Sequence, residues 1–348
     1  MGTYPKTSIC SNHQDSPIQT HLPRYANSRN HSMGSNKLRA NGNDYHTIQT
    51  LLKELRTNFA LKQLGDIALF LGIQTIRTPE GLFFTQKHYA EKILTEFNFT
   101  ESKSVPTPST LKCKQHPPDL QLIPDPTVYR RIAGSLQYLS ITRPDIKFAT
   151  NQICQHMHQP TNFDLQALKR LLQYIKGTLT YGLPIQIGDL SLRTYTDADW
   201  ASDTSDRKFI SGYCTFLGST PISWTVKKQV TVAKSSTEAE YRALSVATSD
   251  VIWIRRLLDE VGIPQHNPTT IHCDNISAMA LAKNPVFHAR TKHIEIDYHF
   301  IRQHLNSGEI QLSYIASTDN ISDIFTKSFS PARFQELRRK LTIQDQND

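Results

Sequence analysis

A glutamate stands in this chain where a core side chain belongs. In Val230-Thr-Val-Ala-Lys-Ser-Ser-Thr-Glu-Ala-Glu-Tyr-Arg-Ala-Leu244 the β-branched run Val230 to Val232 reads as a strand. Ser235, Ser236 and Thr237 then supply N-cap chemistry, and a helix follows to about Glu260. Counted back from its end, Leu258, Ile254, Val251, Ala247 and Leu244 alternate in steps of four and three, so they share one buried face. One further step of four reaches Glu240. Glu238 falls roughly 200° around the helix from it and is expected to face solvent. Two readings of Glu240 stand open. Thr237-Glu-Ala-Glu240 fits a capping box, or the carboxylate heads the stripe because it meets a cation.

Three other acids occupy comparable places. Asp197 ends the strand Leu192-Arg-Thr-Tyr-Thr-Asp197, and Asp274 follows Thr270-Ile-His-Cys273 where the chain turns into a helix. Asp323 lies early in a short helix after a last strand, Glu309 to Ile315. Singly, each has a bland role: Asp274 as an N-cap, Asp323 as a complement to a helix dipole. Together in one sheet they fit a site for a hard cation such as Mg2+ or Mn2+, bound by carboxylate oxygens.

The remaining chain sets these acids in context. Residues 1–44 are rich in Ser, Asn, His and Pro and poor in large apolar side chains, and are expected to be disordered. Helical spacing begins at Ile48, Leu51, Leu52 and Leu55, and Phe59 to Gly65 is expected to close that helix. Ile67 to Ile76 reads as one strand containing Gly72, turned at Pro79-Glu-Gly81 into Leu82 to Thr85, with a helix from Gln86 to Phe97 after it. A proline-rich connector precedes a helical block whose first face is Tyr129, Ile132, Leu136 and Leu139. From Leu183 strands alternate again, first as hairpins and then linked by helices, which indicates a mixed sheet with helices on its faces.

Composition narrows the partners. A net charge of +8 leans towards a polyanion. Five scattered cysteines with no C-x-x-C pair argue against a structural zinc site or a disulfide framework. No apolar run is long enough to span a membrane and no secretory core follows Met1, so residence in the cytoplasm or nucleus is expected.

Tyr195-Thr-Asp-Ala-Asp-Trp-Ala201, Ser211-Gly-Tyr-Cys214, Ile222-Ser-Trp224 and Lys227-Lys-Gln229 resemble the ribonuclease H domain of copia-type LTR retrotransposon Pol polyproteins. So do Ser235-Ser-Thr-Glu-Ala-Glu-Tyr241, Cys273-Asp-Asn275, Arg290-Thr-Lys-His-Ile294 and Asp323-Ile-Phe-Thr-Lys327. Upstream, Leu64-Gly65, Phe70-Leu-Gly-Ile73, Gln86-Lys-His-Tyr89, Tyr129 to Leu139 and Arg143-Pro-Asp145 are similar to the last part of the same polyprotein's reverse transcriptase.

The resemblance implies an α/β fold: a ribonuclease H-like mixed sheet with helices on both faces, preceded by a partial reverse transcriptase palm and thumb and a helical connector. The implied organisation is a palm/thumb remnant over 45–103, a connector over 104–128, a helical block over 129–182 and the ribonuclease H-like domain over 183–348. It also implies hydrolysis of the RNA strand of RNA–DNA hybrids by Asp197, Glu240, Asp274 and Asp323 with two Mg2+ or Mn2+ ions. Asp197 is expected to bridge the ions, Glu240 and Asp274 to complete one shell, and Asp323 to serve the other ion. Ser235, Ser236 and Asn275 are candidate donors to sugar or phosphate, including the 2′-OH that marks RNA. Lys227, Lys228 and Lys234 are candidate phosphate contacts. Phe70, Leu71 and Gly72 fall where the family's primer-positioning hairpin lies.

No membrane partner or small-molecule cofactor is implied. The polymerase Tyr-x-Asp-Asp hairpin has no match, and the sequence contains no Asp-Asp pair. DNA synthesis, which needs such carboxylates for its metals, is therefore not expected. Asp199 and Asp203 read as turn acids, and His293 and His299 as packed or surface residues. The alternative to an enzyme is an idle nucleic-acid-binding remnant.

Overall fold

The computed structural model describes residues 45–60, 67–111, 121–201, 206–284 and 294–347. The segment 1–44, the close of the first helix over 61–65, Asp203 and His293 lie outside the described residues. The chain divides into two compact units, 1–59 and 60–348. The described part of the first is helix α1 (Tyr45–Asn58), which carries Ile48, Leu51, Leu52 and Leu55 at the expected spacing.

The second unit runs β1 (Leu69–Phe70), β2 (Ile73–Thr78), β3 (Gly81–Thr85), α2 (Lys87–Glu96), α3 (Thr127–Leu139), α4 (Lys147–Gln155), α5 (Asn162–Lys176) and β4 (Tyr181–Gln186). It continues with β5 (Leu192–Asp199), β6 (Ile210–Leu217), β7 (Thr220–Lys228), α6 (Ser236–Glu260), β8 (Thr269–Cys273) and α7 (Ile276–Lys283). Last come α8 (Glu295–Asn306), β9 (Ile310–Tyr314), a 3-10 helix (Ile321–Phe325), α9 (Pro331–Lys340) and β10 (Gln344–Asp345).

These strands form two sheets. The first is antiparallel in the order β1-β2-β3-β4-β10. The second has the order β7-β6-β5-β8-β9, antiparallel over β7-β6-β5 and parallel over β5-β8-β9. That is the mixed sheet expected from the sequence, and helices cover both its faces. Leu244 and Val251 of α6 pack with Ile271, Ile301 and Ile310 on one side. On the other, Cys214, Phe216 and Val226 join Ile324, Phe325 and Leu337. That second core continues into Leu94, Leu136, Leu172 and Tyr174 of the helices before the sheet. The boundary expected at 183 falls inside β4, whose sheet partners are β3 and the C-terminal β10.

A buried ion pair fastens the helical block. The Arg143 guanidinium donates to both Asp145 carboxylate oxygens at 2.9 and 2.8 Å, and Tyr174 OH donates to the same carboxylate at 2.7 Å. Arg338 of α9 donates to Tyr174 OH at 3.2 Å, so the C-terminal helix is stitched to the block.

Three local expectations are corrected. Ile67 to Ile76 is not one strand: Leu71 and Gly72 turn the chain between β1 and β2 with φ of +48° and +70°. Positive φ at both central residues is the geometry that matches hairpin twist, and Gly72 adopts it freely. Val230 to Val232 forms no strand; Val230 is 80% exposed, so β-branched propensity had no neighbouring strand to pack on. Glu238 is buried rather than solvent-facing. The N-cap of α6 is Ser235, whose hydroxyl accepts from the Glu238 N–H, which moves the capping register two residues before Thr237. Glu238 accepts from the Lys234 N–H at 2.8 Å and pairs with Arg242 at 2.8 Å.

Candidate metal and nucleic-acid site

The stripe on α6 is buried from Leu258 to Leu244 and ends, as its spacing requires, on Glu240, which is 5% exposed. Because Ser235 is the cap and Glu238 takes the third position after it, Glu240 is not held by the helix end. Its Oε1 accepts from the Ala198 N–H at 3.2 Å, beside Asp197 on β5. Its Oε2 is buried without a hydrogen-bond partner. At the end of β8, Asn275 caps α7 by accepting from the Ala278 N–H at 2.9 Å. Asp274 is thereby free of the capping role that the sequence left open for it.

Asp323 arrives from the opposite face. Asp197 pairs in register with Gly212 of β6. A Cβ on Gly212 would meet Phe325 Cβ at 2.6 Å, so only glycine lets the 3-10 helix lie flat on the sheet there. Asn320 caps that helix and also donates to Thr196 O at 3.1 Å, which pins it to β5. The result is convergence. Single oxygens of Asp197, Asp274 and Asp323 lie within 4.8 Å of one another, and ligand atoms of Glu240, Cys273 and Asp274 do likewise.

The electrostatics are strained. Burial pushes the Glu240 carboxyl well up, and Asp197 and Asp274 push it further. Burial and then Asp197 push Asp323 up to about 6, against the pull of Lys327. The Lys327 ammonium lies 3.1 Å from Asp197 Oδ1 and 2.7 Å from Asp323 Oδ1. Thr326 donates its hydroxyl to Asp197 Oδ2. Burial and then Glu240 push the Cys273 thiol up.

Comparison with known proteins places the chain. Residues 35–111 match the family described as reverse transcriptase (RNA-dependent DNA polymerase). The chain is 44% identical over 303 residues to the retrovirus-related Pol polyprotein from transposon RE2 of Arabidopsis thaliana, covering 87% of this chain and 21% of that protein. An uncharacterised mitochondrial protein of the same plant is 44% identical over 61% of this chain and 88% of its own length. The chain belongs to the copia-type Pol family. It spans about a fifth of the curated Pol polyproteins that head its matches. Among solved structures, LC11-RNase H1 in complex with an RNA/DNA hybrid overlaps 39% of this chain and 94% of its own, at 13% identity and a TM-score of 0.31.

The other sequence candidates lie on several elements of the Pol fragment. Lys227 is exposed and Lys228 half-buried at the end of β7, where the register runs Ala198, Ser211, Lys227 across three strands. Lys228 pairs with Asp206 at 3.1 Å. Lys234, Ser235 and Ser236 are exposed at the start of α6, and Asn275 is half-buried at the start of α7. Phe70 and Leu71 are exposed at the tip of the first hairpin, with Gly72 facing Tyr138 OH. His299 stands edge-on to Tyr298 on α8, and Asp199, expected in a turn, instead closes β5, which runs two residues past the end expected at Asp197. Sequence reasoning passed over Gly212, Asn320, Thr326 and Lys327. The signals were present in Ser211-Gly-Tyr-Cys214 and Asp323-Ile-Phe-Thr-Lys327, but no periodicity assigns a role to a glycine or to a lysine just past a short helix.

Proposed function

We propose that this chain hydrolyses the RNA strand of RNA–DNA hybrids, with Asp197, Glu240, Asp274 and Asp323 holding two Mg2+ or Mn2+ ions. One observation carries the reading: four acids from separate elements converge with one lysine, and Glu240 keeps a buried oxygen with no partner. An unpaired buried carboxylate oxygen is costly, and a hard cation with oxygen ligands is what would compensate it. Such ions, when bound, supply an activated water and stabilise charge at the departing 3′ oxygen of an in-line displacement.

The chain's own residues do the rest. Asp274 shares one grouping with Asp197 and Asp323 and the other with Glu240; by the family resemblance Asp197 would serve both ions, Glu240 and Asp274 would complete one shell and Asp323 would serve the other. The hydroxyls of Ser235 and Ser236 and the amide NH2 of Asn275 sit at two helix starts, where sugar and phosphate oxygens find donors. Lys227, Lys228 and Lys234 supply positive charge beside the acids. The Phe70-Leu71-Gly72 turn guides a nucleic-acid strand in the first sheet. The purified full chain should cleave a labelled RNA–DNA hybrid in Mg2+ and leave duplex DNA intact. Cleavage of duplex DNA, or no cleavage of hybrid in Mg2+ or Mn2+, would sink the reading.

A further inference from the structure

We infer that Lys327 is a resident counter-cation of the acid cluster, displaced when a divalent ion enters. The inference deepens the metal-site reading and rests on it. Lys327 reaches back four residues to Asp323 and across to Asp197, with its ammonium 2.7 and 3.1 Å from their oxygens. Asp197 is 1% exposed and Asp323 6%, so neither has water enough to stand charged beside the other. An ammonium on a flexible four-carbon stem answers that need without fixing a geometry.

The same contacts exclude a second cation. A divalent ion needs its oxygens at about 2.0–2.1 Å for Mg2+, and an ammonium cannot share the space between Asp197 and Asp323 with it. The Lys327 side chain is 34% exposed, whereas its two partners are buried. It alone of the three has a way out to solvent. Its departure therefore precedes loading, and the apparent affinity for the ion is reduced by the fraction of chains in which it has left. The cluster is consequently held together when empty and opened by the ion that it binds.

The test uses the full chain and the metal alone. Mn2+ is titrated calorimetrically into the wild type, Lys327→Met and Asp197→Asn, and each is melted in chelator. Lys327→Met keeps the stem and loses the charge. It should bind Mn2+ about tenfold tighter or more, by removing the competing state, and melt lower in chelator but not in saturating Mn2+. Asp197→Asn should lose stoichiometric binding. An unchanged or weaker Mn2+ affinity in Lys327→Met, with wild-type binding intact and lost in Asp197→Asn, overturns the counter-cation and spares the metal site. Absence of binding in the wild type overturns both. A second measurement needs no variant: acylation of lysines in the wild type, mapped by mass spectrometry. Mg2+ should raise the reactivity of Lys327 several-fold over that of Lys53. A reactivity that Mg2+ leaves unchanged overturns the inference.

Discussion

Two groups of buried carboxylates sit in this molecule and are treated in opposite ways. Asp145, in the helical block, receives two hydrogen bonds from Arg143 and one from Tyr174. Burial alone would raise its pKa, but the Arg143 guanidinium and these hydrogen bonds hold it below the usual carboxylate range. Glu240 and Asp323 are both pushed up, with one lysine shared between Asp323 and Asp197 and one Glu240 oxygen left over. Both sets use the same residue types at similar depth. The difference is completion. A buried carboxylate with its partners in place holds helices together; a cluster left short of positive charge is poised to take a cation.

The contrast breaks first at Asp145. Asp145→Asn leaves the Arg143 guanidinium buried and unpaired, and should cost about 3–5 kcal/mol in denaturant unfolding. A loss below about 1 kcal/mol would mean that the network is no better satisfied than the acid cluster.

The pH dependences should oppose one another. Asp145 has a lowered pKa in the fold, so its contribution is present above the unfolded value of about 3.9 and is lost as pH falls through its folded pKa. Asp323 has a raised pKa of about 6, so its contribution is fully present below the unfolded value of about 3.9 and is lost as pH rises from there through about 6. In chelator, the melting midpoint of Asp323→Asn should gain on the wild type between about pH 4 and pH 6 and hold that gain above. A gap that is constant across that window would remove the strain assigned to Asp323.

A smaller effect separates the two glutamates of α6. Glu238→Gln loses a charge-assisted contact to Arg242 and should cost about 1–3 kcal/mol, while the folded variant cleaves hybrid at the wild-type rate. The smallest effect lies at the rim. Lys227→Ala should lower the slope of log affinity against log salt by about one unit if that lysine neutralises a phosphate. An unchanged slope takes Lys227 out of the interface.

Much of this was legible beforehand, and the rest was not for physical reasons. The stripe from Leu258 to Glu240 follows from helical period alone, and the strand end at Cys273 follows from a β-branched run and a turn, whereas β5 runs two residues past Asp197 because Ala198 and Asp199 still pair with β6. Glu238 was misjudged because the cap lies at Ser235 and not at Thr237; in a run of three hydroxyl residues the capping register is ambiguous by composition. The Leu71–Gly72 turn carries no Asn, Asp or Pro to mark it. The pairing of β4 with β3 and β10 joins residues far apart in the chain, such as Gly81 with Gln186 and Gln344 with Gly182, and nothing local encodes it. Lys327 stands four residues after Asp323, a spacing common in solvated helix pairs. Only the placement of Asp197 beneath it reveals the role.

The most direct measurement is Glu240→Gln, scored for hybrid cleavage and for stability in chelator on one preparation. The substitution keeps the shape and the acceptor for the Ala198 N–H and removes the charge that Asp197 and Asp274 oppose. Cleavage should fall by roughly 10³-fold or more, while the melting midpoint in chelator stays level or rises. A variant that cleaves at the wild-type rate, or one that melts well below the wild type, would contradict the reading of Glu240 as a carboxylate waiting for a cation.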